Sequence, residues 1–82
     1  MPEAIGQYMV AELAPRQPAS GKTKRWLIRN RDGELLGSIS WHAPWRQYCL
    51  FVVGLPLFAA GCLRDLCEFI ERQNAAQKAA RK

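Results

Sequence analysis

The sequence has few of the residues that catalysis and metal binding usually require. It contains one histidine, His42, and three cysteines among 82 residues. The neighbours of His42 include no nucleophile and carboxylate pair at a spacing typical of acid–base catalysis, so we interpret it as a structural histidine or one in an exposed turn. Cys62 and Cys67 are five residues apart, which places them on different faces of a helix, and no Cys-x-x-Cys or His-x-x-x-His pair is present. We therefore predict a protein that is not an enzyme and holds no metal or other cofactor.

The sequence also lacks the segments that direct a chain into or across a membrane. Its uncharged run at residues 47–63 is shorter than the ~20 residues of a spanning helix and is interrupted by Gly54 and Pro56. The first residues show no basic segment followed by an apolar stretch, which predicts no secretory signal. The odd number of cysteines is typical of reduced thiols rather than of a disulfide framework. We expect a cytoplasmic protein that does not contact membranes.

Acidic residues are scarce, since seven Asp and Glu oppose twelve Lys and Arg and leave a net charge of +5. The charge is unevenly placed. Residues 1–56 have seven basic and four acidic groups, residues 57–74 have two and three, and residues 75–82 have three basic groups alone. This distribution favours an acidic partner, of which nucleic acid is the commonest kind, with an anionic membrane or an acidic protein as competitors.

The two ends of the chain differ from its middle. Residues 1–22 begin with apolar residues at helical spacing and continue into a stretch rich in Pro, Ser and Gly. We interpret them as a flexible N-terminal arm with at most transient helix. Residues 75–82 are rich in alanine and basic residues and form a basic C-terminal tail, whose alanines could extend a preceding helix. The predicted domain therefore covers residues 23–74.

Three strands and one helix are predicted within this domain. Asn30-Arg-Asp-Gly33 has the chemistry of a tight hairpin turn and separates strands at residues 24–30 and 34–41. Pro44 ends the second strand, and a third runs from about residue 46 to residue 53. Apolar residues then recur at helical spacing within residues 57–74. The predicted fold class is α+β, with a three-stranded antiparallel meander packed against one C-terminal helix.

The third predicted strand is apolar on both faces. One face is expected to pack on the helix. The other then needs a cover, which the N-terminal arm or a second copy of the domain could supply. This pattern is the reason for predicting a possible homodimer.

Cations alternate with aromatic residues along the hairpin, with Lys22 beside them, and continue into the turn after Pro44. Cations supply affinity for phosphates, and planar side chains stack on bases. We predict a nucleic-acid or partner-binding surface formed by Lys24, Arg25, Arg29, Arg31, Trp45, Arg46 and Tyr48.

Two alternatives stay open for this surface. In the first, the aromatic side chains belong to the core and the cations form a solvated rim. In the second, residues 41–48 bind a protein, for example as an inhibitor of a host system or in a homodimer, because Trp and Arg dominate the energetics of protein interfaces.

Three segments resemble a group of small phage- and prophage-encoded proteins of uncharacterised function. Residues 36–41 read Leu-Gly-Ser-Ile-Ser-Trp, residues 45–51 read Trp-Arg-Gln-Tyr-Cys-Leu-Phe, and residues 62–70 read Cys-Leu-Arg-Asp-Leu-Cys-Glu-Phe-Ile. The pattern of the group is similar to Leu-Gly-x-Ile-x-Trp, Trp-Arg-x-Tyr-x-Phe and Cys-Leu-x-Asp-Ile. Leu66 stands in place of the isoleucine, and Val53-Gly54 in place of an aromatic-proline step. The resemblance implies a compact accessory protein in a phage context, without a mechanism.

Overall fold

The computed structural model describes residues 2–80 and contains one sheet and one long helix. The strands are β1 (Glu3–Ile5), β2 (Met9–Leu13), β3 (Arg25–Asn30), β4 (Leu35–His42) and β5 (Gln47–Val52), and the helix α1 is Ala60–Ala80. A short 3-10 turn, Ala43–Trp45, joins β4 to β5. The strands lie in sequence order and all pairs are antiparallel, so the sheet is a meander. The predicted α+β class with one C-terminal helix is confirmed.

The predicted number of three strands is wrong, because the segment assigned to an N-terminal arm supplies β1 and β2. Gly6, with a φ of 64°, turns the chain between them, and β2 pairs along its length with β3. The four-residue separation of Ile5 and Met9 fits one face of a helix, but it equally fits two inward-facing residues on either side of a tight turn. The strands bury both side chains to 2 % exposure, which a detached arm would not achieve.

The core lies between one face of the sheet and α1. Trp26 lies in it and makes edge-on contacts with the rings of Tyr48 and Phe69, both at 5.3 Å between centroids. The opposite face of the sheet presents the alternate residues of each strand, and the helix does not cover it. The buried cluster consists of Ile5, Met9, Ala11, Trp26, Ile28, Ile39, Tyr48, Leu66 and Phe69.

The helix extends further than its predicted end at residue 74 and includes residues 75–80 of the predicted basic tail. Alanine, the best helix former, accounts for this extension. Lys78 lies in the last turn, where a cation complements the negative end of the helix dipole. The last two residues of that tail, 81 and 82, are outside the described residues, as is residue 1 of the predicted arm. Within residues 2–80, no helix has both the length and the hydropathy of a membrane span.

The outer face of β5 is not covered by the N-terminal residues, which corrects one of the two predicted covers. β1 and β2 add to the sheet beside β3, and β5 forms the edge on the other side, next to β4 alone. Phe51 and Val53, which alternate with the helix-facing Tyr48, Leu50 and Val52, remain 44 % and 50 % exposed. The N-terminal segment reaches the sheet edge opposite β5 because its backbone pairs with β3.

Candidate nucleic-acid interface

Six cations meet at one end of the sheet, which we call the basic end. They come from the segment between β2 and β3, from the first residue of β3, from the turn before β5 and from the last turn of α1. Three adjoining grooves contain them in pairs around the half-buried side chain of Trp41 and the ring of Tyr48. The pairs are Arg16 with Arg25, Lys22 with Lys24, and Arg46 with Lys78.

The basic end is not neutralised by nearby carboxylates. No Asp or Glu lines any of its three grooves in the part of the chain that the structure describes. The two ion pairs seen between residues 2 and 80 involve other cations, Arg29 with Glu12 at 2.7 Å and Arg72 with Glu3 at 2.9 Å. The potentials of six cations therefore add at this surface.

The buried Tyr48 holds the elements of the basic end together. Its hydroxyl accepts a hydrogen bond from the backbone N–H of Lys24 at 3.1 Å and donates to Oε1 of Gln77 at 3.5 Å. Its backbone N–H donates to Oδ1 of Asn74 at 2.7 Å. One residue of β5 thus links the β2–β3 segment to the C-terminal half of α1, which fixes the positions of Lys24 and Lys78 relative to each other.

Gln17 fastens the β2–β3 segment to β3. Its Nε2 donates to the carbonyl oxygens of Ala14 and Arg25, at 2.8 and 2.9 Å, and its Oε1 accepts from the backbone N–H of Arg25 at 3.0 Å. The amide side chain therefore continues the backbone pairing beyond the end of β2. This places Arg16, one residue earlier, beside Arg25 in the same groove.

Trp45 presents an exposed aromatic ring one residue before Arg46. It ends the 3-10 turn and is 66 % exposed, and its ring meets that of His42 edge-on at 4.9 Å. Arg46 follows with a left-handed φ of 53°, and its N–H donates to the carbonyl oxygens of His42 and Ala43. The contact with His42 holds the indole in place while most of its surface stays open to a ligand.

Four of the seven predicted site residues are brought to this end. Lys24 and Arg25 line grooves on either side of the β2–β3 segment, and Arg46 lines the groove beside Lys78. Trp45 precedes Arg46 on the turn into β5. These residues form two short pairs in the sequence, and the antiparallel arrangement of β3, β4 and β5 brings the pairs to one end of the sheet.

The other three predicted residues lie elsewhere. Arg29 is on the sheet face away from the helix and is paired with Glu12. Arg31 is in the β3–β4 turn, at the far end of both strands, where its Nε donates to the carbonyl oxygen of Gln7. Tyr48 is in the core.

Three cations of the basic end, Arg16, Lys22 and Lys78, are not in the predicted set. Arg16 and Lys22 belonged to the segment interpreted as an arm, and Lys78 to the tail. The basic composition of the tail was a usable signal for Lys78, because an alanine-rich extension of the helix carries that residue along the sheet. Arg16 had no comparable signal, since its place depends on the pairing of β2 with β3.

A larger groove at the opposite end of the molecule has a different chemistry. It encloses about 500 Å³ between the β1–β2 turn, the β3–β4 turn and the segment that joins β5 to α1. Its lining is mainly apolar, and among the described residues the one charged group that lines it is the carboxylate of Glu34. A groove without cations is unsuited to a polyanion, so the basic end remains the candidate site despite its smaller grooves.

The cysteines do not form a reactive or metal-binding cluster in the described part of the chain. No group of three or more His, Cys, Asp or Glu residues in residues 2–80 has the geometry for a metal ion. Cys67 is the exposed thiol. The carboxylate of Glu71 raises its pKa, and desolvation, a hydrogen bond with Glu71 and the charge of Glu68 act in the same direction. A raised pKa disfavours the thiolate, which is the nucleophilic form.

Comparisons with known proteins identify no family for this chain, so the basic end is interpreted from its own side chains. A scan against protein-family models finds no match, and searches of curated proteins and of solved structures find no significant match.

Proposed function

We propose that this protein is a non-enzymatic module that binds nucleic acid through the basic end. The observation that carries the proposal is the set of six cations around three adjoining grooves with no carboxylate in the described lining. Lysine and arginine side chains gain affinity from phosphates mainly by releasing condensed counterions. We also propose a cytoplasmic accessory role in a phage or prophage, which is supported by the resemblance of residues 36–70 to such proteins.

We expect single-stranded nucleic acid to be the favoured ligand. Trp45 offers one exposed ring one residue before Arg46, and stacking of a base on such a ring needs a base that is free of its partner. Insertion of the β3–β4 ribbon into a duplex groove is disfavoured, because the tip of that ribbon carries Asp32 and Glu34 and lies at the far end from the basic end. The binding surface is therefore the base of the hairpin and not its tip.

Binding of single-stranded and duplex DNA and RNA across a salt series tests this function. We expect log Kobs to fall linearly with log salt, with a slope of about −2 to −3 if three to four phosphates of a single strand are contacted. Single strands are expected to bind more tightly than duplexes of the same length. An absence of binding at low salt, or an affinity that does not change with salt, would reject the function.

A protein partner is the second candidate, and the exposure of Trp45 beside Arg46 favours it. The double variant Trp45→Ala, Arg46→Ala separates the two functions. If the ligand is nucleic acid, single-strand affinity falls by on the order of tenfold or more, since stacking is worth about 1–3 kcal/mol per base. If the single-strand affinity is unchanged while the melting temperature stays near that of the wild type, the pair does not contribute to nucleic-acid binding, and loss of partner capture by the same variant would support the protein-binding function.

A further inference from the structure

The last strand of the sheet, β5, has an unpaired edge. Its N–H groups alternate in direction, and that of Val53 just beyond the strand donates to the carbonyl oxygen of Leu36 in β4. The N–H and C=O groups of residues 48, 50 and 52 therefore point away from β4, towards the open edge of the sheet. Asn74 of α1 accepts the N–H of Tyr48. The backbone groups of Leu50 and Val52 have no partner among residues 2–80.

The edge of β5 also lacks the features that prevent an exposed edge strand from pairing with a strand of another chain. Such edges are usually short or carry lysine, proline or a bulge. β5 has six residues and none of these, and it begins a run of 17 uncharged residues, 47–63, in a chain of net charge +5. The opposite edge, β1, is different, because it has three residues and includes Glu3, which is paired with Arg72.

We propose that β5 pairs antiparallel with β5 of a second copy of this chain, with the two-fold axis at Phe51. In this register Leu50 and Val52 of one copy exchange backbone hydrogen bonds with Val52 and Leu50 of the other. The two Phe51 side chains face each other as a cross-strand aromatic pair on the sheet face away from the helices. The two five-stranded sheets become one continuous ten-stranded sheet. The β5 edge of each copy is then no longer exposed.

The positions of the free backbone groups select this register over its neighbours. An axis at Leu50 would pair Tyr48 with Val52, but Asn74 already occupies the N–H of Tyr48. An axis at Val52 would pair Leu50 with Gly54, which lies beyond the end of the strand and has a positive φ of 72°. Only the axis at Phe51 uses the two free residues and no others.

A second copy fits this edge better than a polyanion does. β5 has no charged residue, so it offers no cations to the phosphates of a polyanion. When it pairs with β5 of a second copy, no like charges face each other. Two identical antiparallel strands make a closed, two-fold contact. Because β5 starts at the basic end, the antiparallel pairing directs the two basic ends away from each other and leaves their grooves open.

The segment after β5 supplies further apolar surface for this contact. Leu55 and Leu57 are almost fully exposed, at 102 % and 98 %. The register places Gly54, where this segment begins, opposite Tyr48 of the second copy. A stable interface buries about 800 Å² per partner, which exceeds the contact of three strand residues, so the leucines are needed to complete it.

Substitutions that place a positive or a negative charge at the two-fold axis test the pairing. We expect the wild-type protein to sediment with twice the 9.3 kDa mass of one chain. Phe51→Lys and Phe51→Glu should each give monomers, because like charges then face each other across the axis. An equimolar mixture of the two variants should restore the dimer. Tyr8→Lys and Tyr8→Glu, at an exposed aromatic residue of the β1–β2 turn, are the matched controls and should stay dimeric.

Three outcomes would overturn the pairing: a monomeric wild type, a dimer that survives both Phe51 substitutions, or folded monomeric variants that do not associate on mixing. Val52→Pro gives a second route if the Phe51 variants do not fold. This substitution removes an N–H that points to the open edge of β5 and makes no hydrogen bond to β4. A folded monomer is therefore expected. A folded Val52→Pro dimer would also contradict the register.

Discussion

Replacement of Phe69 by alanine is expected to remove a large fraction of the free energy of unfolding at 25 °C. The ring is fully buried, packs on Trp26 and has the guanidinium of Arg72 at 5.6 Å from its centroid. A buried Phe→Ala change costs about 3–5 kcal/mol. The free energy of unfolding of an 82-residue domain is on the order of 4–12 kcal/mol, at about 0.05–0.15 kcal/mol per residue. Urea denaturation followed by tryptophan fluorescence measures the loss.

Leu63→Ala is the matched control for Phe69→Ala, because it removes an apolar side chain from the same helix. Leu63 is 53 % exposed, so its removal should cost less than about 1 kcal/mol. Equal losses of stability in the two variants would contradict the assignment of the helix face that packs on the sheet.

The variant Lys22→Gln, Lys24→Gln is expected to bind single-stranded nucleic acid on the order of tenfold more weakly at ~0.1 M salt. Both side chains line one groove of the basic end and are exposed, so their replacement should leave the fold intact. Loss of two phosphate contacts should make the slope of log Kobs against log salt shallower by about 1.4. Fluorescence anisotropy with a labelled oligonucleotide, at several salt concentrations, measures both quantities.

The variant Arg31→Gln, Arg64→Gln provides the matched control, since it removes the same net charge from the other end of the molecule. Arg31 is in the β3–β4 turn and Arg64 is near the start of α1. We expect the slope to stay within experimental error of the wild-type value. If both double variants lose affinity equally, binding depends on net charge and not on the basic end.

The hairpin could be predicted because hydrogen bonds between neighbouring residues fix the backbone of its turn. Oδ1 of Asn30 accepts hydrogen bonds from the backbone N–H groups of Asp32 and Glu34, at 3.0 and 2.9 Å. Gly33 has a φ of 89°, which the turn requires and which side chains oppose. These contacts lie within residues 30–34, so the residue types in that short window determine them.

The first two strands could not be predicted in the same way, because their pairing is not local. β2 meets β3 across a connecting segment of eleven residues, and its inward residues match the apolar face of β3 only when the whole sheet is known. For the same reason Arg29 was assigned to the site. Its counter-ion, Glu12, is 17 residues away in sequence and becomes a neighbour only through the β2–β3 register.

The candidate site was predicted where it depends on neighbours in sequence and missed where it depends on the fold. Lys24 with Arg25 and Trp45 with Arg46 are adjacent pairs, and strand pairing alone brings them together. Tyr48 was interpreted as a surface residue because cations and aromatic residues surround it in sequence. Its hydroxyl instead satisfies the N–H of Lys24 from within the core, which explains why a polar aromatic residue is needed there.

An NMR titration of the labelled protein with a single-stranded oligonucleotide tests the central claim, that polyanions bind at the basic end. Chemical shifts should change for the backbone amides of residues 16, 17, 19–25, 46 and 78 and for the indole N–H of Trp45, with the changes reduced by added salt. Changes confined to the β3–β4 turn or to residues 54–59, with the basic end unaffected, would contradict the account.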